Sequence, residues 1–295
     1  MCGRYASARK RAELLEEFGV QRDRADKDLA PDFNVAPTKP VYAVLTRKPG
    51  HEAEAKADAD ADRDDGPERQ LRVVRWGLVP FWAKDPAIGS RMINARAETI
   101  AEKPAFKRAF ARRRCLIPAD GFYEWQQLTG PDGGKRKQPY FIYRADGGAL
   151  AFAGLYELWR DKSVPEEDPA SWLWTSTIIT TSAADEVGQI HDRMPMVIDP
   201  SSWADWLDPD NTEVADVTRL LVPAMAGAQP AGLLTSHPVS TAVNNVRNNG
   251  PELMDEVPLE VPGAAQDAPS PRSGPLDEPP PGGRPSHGSA GDTLF

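Results

Sequence analysis

The residue type and position with the clearest chemistry stand at the start of the chain. A methionine followed by a small residue is a substrate for methionine aminopeptidase, so loss of Met1 would leave Cys2 with a free α-amine beside its thiol. That pair is a 1,2-aminothiol. An α-amine titrates at about 8 and a free thiol at about 8.5, and the adjacent ammonium favours the thiolate, so both nucleophiles are available near neutrality. An aldehyde meeting this group forms a Schiff base with the amine, and the thiol then closes it into a five-membered thiazolidine. The same residue can instead act as a thiol nucleophile on an ester or amide, with its own amine as base. The other cysteine, Cys115, precedes Leu116 and Ile117 in an apolar strand and reads as a small buried hydrophobe. No His or Cys cluster has metal-ligand spacing, no glycine-rich phosphate loop occurs, and GxSxG is absent, so the sequence predicts no metal and no cofactor.

The elements that must position Cys2 are mostly strands. The runs VYAVLT (41–46), LRVVRWGLV (71–79), PYFIYRA (139–145), LAFAGLYELW (150–159) and STIITT (176–181) are short, rich in β-branched and aromatic residues, and bounded by Gly, Pro, Asp or Asn. Helical stretches do not alternate with them, which argues against a doubly wound parallel sheet. The fold class expected is α+β, a mainly antiparallel core curled into an open barrel with helices at its margins. Ser7 followed by ARKRAELLEEF and Gly19 predicts one capped helix, with Leu14, Leu15 and Phe18 on one face. Pro104, Phe106 and Phe110 predict a second, and Ser201 or Ser202 opens a third through Trp203, Trp206 and Leu207. The rest of the core reads as strand. Trp76, Trp172, Trp203 and Trp206 are assigned to it.

Of the 295 residues and 29 prolines, the segment 251–295 holds ten prolines and few large apolar side chains, and HEAEAKADADADRDDGPER (51–69) is a charged run. Neither can bury enough apolar surface to order itself. The expected organisation is therefore one domain over residues 2–257 with an acidic loop insertion at 51–69, and a disordered Pro/Gly-rich tail over 258–295. Residues 51–68 and 251–295 each carry a charge of −6 against a total of −9, so the remainder is about +3. A nucleic-acid partner is not excluded, although a strongly basic duplex footprint is absent. With two cysteines, no apolar leader and no run of 18 apolar residues, the chain reads as cytoplasmic with reduced thiols and without a membrane partner. No coiled-coil pattern or exposed apolar stripe argues for more than a monomer.

The company that Cys2 keeps narrows the chemistry. From MCGRY the chain continues through FNVAPT (33–38), WGLVPFWAKD (76–85), MINARAET (92–99), RCLIPADGFYEW (114–125), AGLYELW (153–159), IITTSA (178–183), IHDRMPMVI (190–198) and VSTAVNNVRNNGPEL (239–253). In this order and spacing the segments resemble the SRAP (SOS response-associated peptidase) family, over residues 2 to about 257. That family includes shields of abasic sites in single-stranded DNA. The resemblance implies that Cys2 is the crosslinking residue, that Asn94 orients its amine or the opened sugar, that Glu124 is the active-site carboxylate and that His191 is the histidine of the site. It further implies DNA contacts from Arg4, Asn34, Pro37, Arg96, Trp125, Thr180 and Arg193. The arginine forks suit phosphate oxygens, and Trp125 suits a base beside the lesion.

The implied roles make chemical sense. An abasic deoxyribose is mostly a closed hemiacetal, and His191 can shuttle the protons that open it near neutral pH. Glu124 can take a proton from the α-ammonium and return it as water leaves, a double duty that calls for a desolvated carboxyl with a raised pKa. The expected activity is covalent capture of abasic single-stranded DNA, on the nucleoid when bound. Two other classes remain open on the residues alone: a cysteine peptidase with an N-terminal nucleophile, and a non-covalent reader of modified bases. The crosslinker needs amine and thiol, the peptidase needs the thiol, and the reader tolerates Cys2→Ala.

Overall fold

A computed structural model describes residues 2–47, 66–130, 133–183, 185–225 and 233–259. Most of the acidic segment and the tail beyond Leu259 lie outside the described residues. The described strands are β1 (Tyr5–Ser7), β2 (Arg22–Asp23), β3 (Asp32–Val35), β4 (Pro40–Arg47), β5 (Glu68–Trp76), β6 (Asn94–Arg96), β7 (Arg114–Ala119), β8 (Gly121–Thr129), β9 (Lys135–Arg144), β10 (Leu150–Arg160), β11 (Trp172–Ser182), β12 (Arg193–Pro195) and β13 (Leu234–Pro238). The α-helices are α1 (Arg11–Glu17), α2 (Lys107–Arg112), α3 (Asp185–Ile190), α4 (Trp203–Leu207) and α5 (Val214–Met225).

Five strands close into a ring, in the order β10, β7, β4, β5, β11 and back to β10. Four of the five junctions are antiparallel. The closing one, between β5 and β11, is parallel, with Thr175 opposite Arg75 and Ser176 opposite Trp76. The period-2 alternation of a strand explains why the ring needs apolar residues on both faces. On β10, Leu150, Phe152, Tyr156 and Leu158 point into one cluster with Val41, Ala43, Leu45, Val74, Trp76 and Cys115. Their neighbours Ala151, Ala153 and Leu155 pack outward against Phe18, Phe110, Trp203, Trp206, Val217 and Leu221 of the helical layer.

A second, antiparallel sheet runs in the order β13, β9, β8, β1, β3. The chain passes from ring to sheet between β7 and β8, where Asp120 alone separates the two strands. Gly121 fits there because a Cβ would collide with the Phe141 ring and the Ile142 carbonyl. Tyr5, Phe122 and Ile142 of this sheet pack into the ring's apolar cluster, and Cys2 lies on the segment leading into β1.

The α+β architecture with a mainly antiparallel barrel is as the sequence implies, and several local expectations need correction. The first helix begins at Arg11, because Ser7 pairs with Asp32 as part of β1 and is unavailable as a cap. The Glu13 carboxylate instead accepts the Lys10 N–H at 3.2 Å, and Gly19, at φ 57°, ends the helix in the left-handed region as anticipated. β5 starts at Glu68, so the last two residues of the expected acidic loop belong to the barrel. α3 and α5 contradict the view that the rest of the core is strand; Val217 and Leu221 of α5, four apart, are both fully buried. Trp76, Trp203 and Trp206 are core residues, whereas Trp172 opens β11 at the barrel margin and is only half-buried.

Candidate active site around Cys2

Four segments bring the chemistry together. β1 is held between β3 and β8, with Tyr5 opposite both Val35 and Phe122. This leaves Cys2 just outside the mouth of the ring, fully buried and packed into the barrel cluster. The Cys2 carbonyl accepts a hydrogen bond from Asn94 Nδ2 at 2.8 Å, and its Sγ lies 3.8 Å from the Arg4 carbonyl oxygen. Burial pushes the thiol well above its usual range, and the negative charge of Glu124 pushes it further. The expectation of a thiol that ionises near neutrality is thereby corrected, since desolvation of the buried sulfur favours the neutral thiol.

Asn94 opens β6, which lies parallel to β11 with Asn94 opposite Ile178. The preceding loop is fixed by backbone contact between Gly77 and Gly89. A Cβ on Gly77 would sit 2.6 Å from the Gly89 oxygen, and its φ of 126° favours glycine. Ile93 is pinned by the Trp76 indole N–H, which donates to its carbonyl at 2.9 Å. Asn94 Oδ1 is buried and has no hydrogen-bond partner among the described residues, so the amide has an acceptor left over for a bound group.

Glu124 lies mid-strand in β8 at 2% exposure, not at a solvated strand end. Burial is the first cause of a carboxyl pKa raised to about 7; positive charge at the chain's amino terminus opposes the shift and Asp192 adds to it. His191 follows α3 and presents Nε2 at 4.0 Å from Glu124 Oε2. Its Nδ1 accepts the Arg193 N–H at 3.0 Å, which assigns the proton of the neutral ring to Nε2, on the side of Glu124. Asp192 Oδ1, 2.9 Å from Nδ1, would receive a hydrogen bond only when Nδ1 carries a proton. Burial first, then the positive amino terminus, lowers the His191 pKa and favours the neutral form.

The seven expected DNA contacts divide by exposure. Arg96 is exposed, while Arg4, Pro37, Trp125 and Arg193 are half-buried. Asn34 and Thr180 are buried, and their side chains face protein. Asn34 is a clasp: its Nδ2 lies within 3.1–3.2 Å of the carbonyls of Val243, Asn245 and Asn248, and its Oδ1 accepts from Arg4 at 2.8 Å. Arg4 also donates to the Val243 carbonyl at 2.8 Å. The clasped loop in turn holds Trp125, whose indole N–H donates to Asn244 Oδ1 at 2.7 Å. Arg193 forks onto Glu98 at 2.6 and 3.0 Å and onto the Thr180 carbonyl at 2.7 Å. Pro37 precedes Thr38, which turns the chain at φ 73° into β4.

One feature escaped the sequence reading. Phe81 and Trp82 are 49% and 51% exposed, among the few large apolar side chains left in solvent. Their signal was present in WGLVPFWAKD, where two aromatics stand between Pro80 and Lys84 in a segment without strand alternation. Among the described residues no group of three or more His, Cys, Asp or Glu could hold a metal ion, and no helix is long and apolar enough to cross a membrane.

A closed barrel with a second sheet that carries Cys2, where the Asn94 amide meets the Cys2 carbonyl, the Glu124 charge reaches its thiol and His191 stands against Glu124, defines a protein whose site is built on its second residue. The chain belongs to the SOS response associated peptidase (SRAP) family, whose model matches residues 1–246. It is 37% identical over 255 residues to the abasic site processing protein YoqW of Bacillus subtilis (strain 168), covering 86% of this chain and 99% of that protein. It is 32% identical to the abasic site processing protein HMCES of Gallus gallus, covering 89% of this chain and 80% of that protein. Among solved structures, a protein from Bacteroides thetaiotaomicron shares the fold at TM-score 0.64 and 24% identity, over 87% of this chain and all of that one.

Proposed function

We propose that this protein processes abasic sites in DNA by capturing the aldehyde of a single-stranded lesion on Cys2 as a thiazolidine. The observation that carries this reading is the convergence of Cys2, Asn94, Glu124 and His191 from four separate segments on one end of the barrel. The relatives named for abasic site processing cover nearly the same span and agree with it.

The groups suit each step. His191, neutral with its proton on Nε2, passes protons during opening of the sugar hemiacetal to the aldehyde. After loss of Met1, the Cys2 amine attacks the aldehyde carbon and a carbinolamine forms. Glu124, poised near neutrality, accepts the ammonium proton and returns it to the departing hydroxyl, so that water leaves and a Schiff base remains. The thiol then adds to the same carbon. Because the buried sulfur is held as a neutral thiol, its proton must go to a neighbour as the C–S bond forms, and Glu124 is the carboxylate whose charge reaches it. The balance is one aldehyde and one aminothiol giving one thiazolidine and one water. Asn94 fixes the Cys2 carbonyl and offers its spare Oδ1 to the amine or to a sugar hydroxyl. The exposed rings of Phe81 and Trp82 and the guanidinium of Arg96 supply stacking and charge for the strand.

Intact-protein mass spectrometry after incubation with a single-stranded oligonucleotide bearing one abasic site tests the proposal. The expected product has the mass of the protein without Met1 plus the oligonucleotide less one water, and it is missing from Cys2→Ala and from an undamaged strand. Lesion binding that survives Cys2→Ala with no adduct from the parent protein would favour a non-covalent reader. Release of a cleaved peptide from a peptide library would favour the peptidase.

A further inference from the structure

We propose that the solvent face of α2, coupled to the loop before Asn94 through Phe81 and Arg108, is a second nucleic-acid contact that takes the unpaired strand flanking the lesion. The inference rests on the function proposed above and extends it to a surface outside the Cys2 site.

α2 buries Ala109 and Phe110 against the barrel and turns Lys107, Arg108 and Arg112 to solvent, all three exposed. At 100° per residue these positions span one face of the helix. The Arg108 guanidinium lies 4.5 Å from the centroid of the Phe81 ring and so ties α2 to the 77–91 loop. That loop is anchored at both ends beside the active site: Gly77 donates to the Ser176 carbonyl at 2.7 Å, and Leu78 donates to the Met92 carbonyl at 3.1 Å, two residues before Asn94. Lys84 and Arg91 on the same loop are exposed. The loop, Asn94 and α2 thus lie on one stretch of chain, residues 77–112, tied together by the Arg108–Phe81 contact.

Its charge is positive, and the nearby acids are mostly engaged. Asp85 accepts the Ala87 N–H at 2.8 Å as the cap of a 3-10 turn and Glu98 is ion-paired with Arg193, so Asp85 and Glu102 are the exposed carboxylates set against Lys84, Arg91, Lys107, Arg108 and Arg112. Two large half-exposed rings amid four or five cations make a poor protein interface core, which would need contiguous apolar area, and a good platform for bases with phosphates on either side. Arg108 covers one part of Phe81 and holds the ring in place, so stacking costs little ordering entropy.

The test compares the parent protein with a Lys107→Glu/Arg108→Glu double variant, and with Arg108→Lys as the conservative control. Two abasic oligonucleotides are used, one with about 3 nucleotides on each side of the lesion and one with about 15, bracketing the roughly 4–16 nucleotides that single-strand sites occupy. On the long strand the double variant is expected to lose about tenfold in capture rate at limiting protein. The salt dependence of its binding to an undamaged long strand should flatten by about 1.4 in log–log slope, two phosphate contacts at about 0.7 each. On the short strand both proteins should react alike, and Arg108→Lys should stay near the parent. Equal rates on the long strand would overturn the inference, as would an equal loss on both strands, which would mean damage to the Cys2 site. Failure of the parent protein to form any adduct would instead refute the proposed function, and the salt slope on the undamaged strand would still decide whether α2 binds nucleic acid.

Discussion

The two cysteines lie in the same apolar cluster, both fully buried, yet their surroundings differ in kind. Cys115 sits mid-strand in β7 opposite Gly154, and burial alone raises its thiol above the usual range. Cys2 is raised by burial too, but it also meets the Glu124 charge, the Arg4 carbonyl and the Asn94 amide. Burial by itself makes a sulfur inert; burial beside a carboxyl that titrates near neutrality makes one that reacts only when a proton can be handed on. The contrast also separates two ways of using the barrel. Its middle is a place to hide a small side chain, and its mouth is a place to hold one under control.

Cys2→Ala should abolish adduct formation, whereas Cys115→Ala should leave the capture rate within about twofold, the cavity term falling on stability. Glu124→Gln should lower the rate about 100-fold, and the pH profile sharpens the assignment. The parent rate should rise with pH through about 7, as the carboxyl loses its proton, and the variant profile should be flat across that range. A parent profile with no inflection near neutrality would remove Glu124 from the base role. Loss of the His191 side chain in His191→Ala should cost about tenfold, partly restored by added imidazole.

The same carboxyl shapes stability with a defined sign. Its folded pKa of about 7 lies above the usual 4.5, so the folded chain binds the proton more tightly than the unfolded one. Its contribution to folding is therefore fully present below pH 4.5 and is lost as pH rises through 7. Glu124→Gln should consequently be more stable than the parent at pH 8, by up to about 3 kcal/mol, and no different at pH 4, as read from denaturant midpoints. Only a small change in chemistry is expected from the clasp. Asn34→Ala should lower stability by about 2 kcal/mol and red-shift tryptophan emission as Trp125 loses its Asn244 support, while capture on saturating DNA stays within a few fold.

The barrel was legible because its strands are short, β-branched and bounded by turn residues, and because helices do not alternate with them. Ring closure was not, since the parallel contact of β5 with β11 joins residues about 100 positions apart and leaves no local trace. Ser7 misled because a serine before a helical pattern reads as a cap even when the strand partner Asp32 claims it. α5 hid behind Val214 and Val217, β-branched residues that suit strands as well. For the site, residue chemistry pointed to Cys2 and the family resemblance to Asn94, Glu124 and His191, but the sequence could not show that Asn34 and Thr180 face inward. Asparagine beside a Pro turn looks the same whether it greets solvent or gathers three carbonyls. Arg4 and Arg193 likewise read as free forks, and each is already engaged by protein groups.

The placement of β1 between β3 and β8 sets an order of events during synthesis. The pairing of Glu124 with His191 cannot form until the ribosome has made about 190 residues, on the order of 10–40 s after the first ones at bacterial or eukaryotic elongation speeds. On the capture chemistry proposed above, loss of Met1 falls in that interval, before the fold encloses Cys2. Maturation of the nucleophile would then belong to the nascent chain.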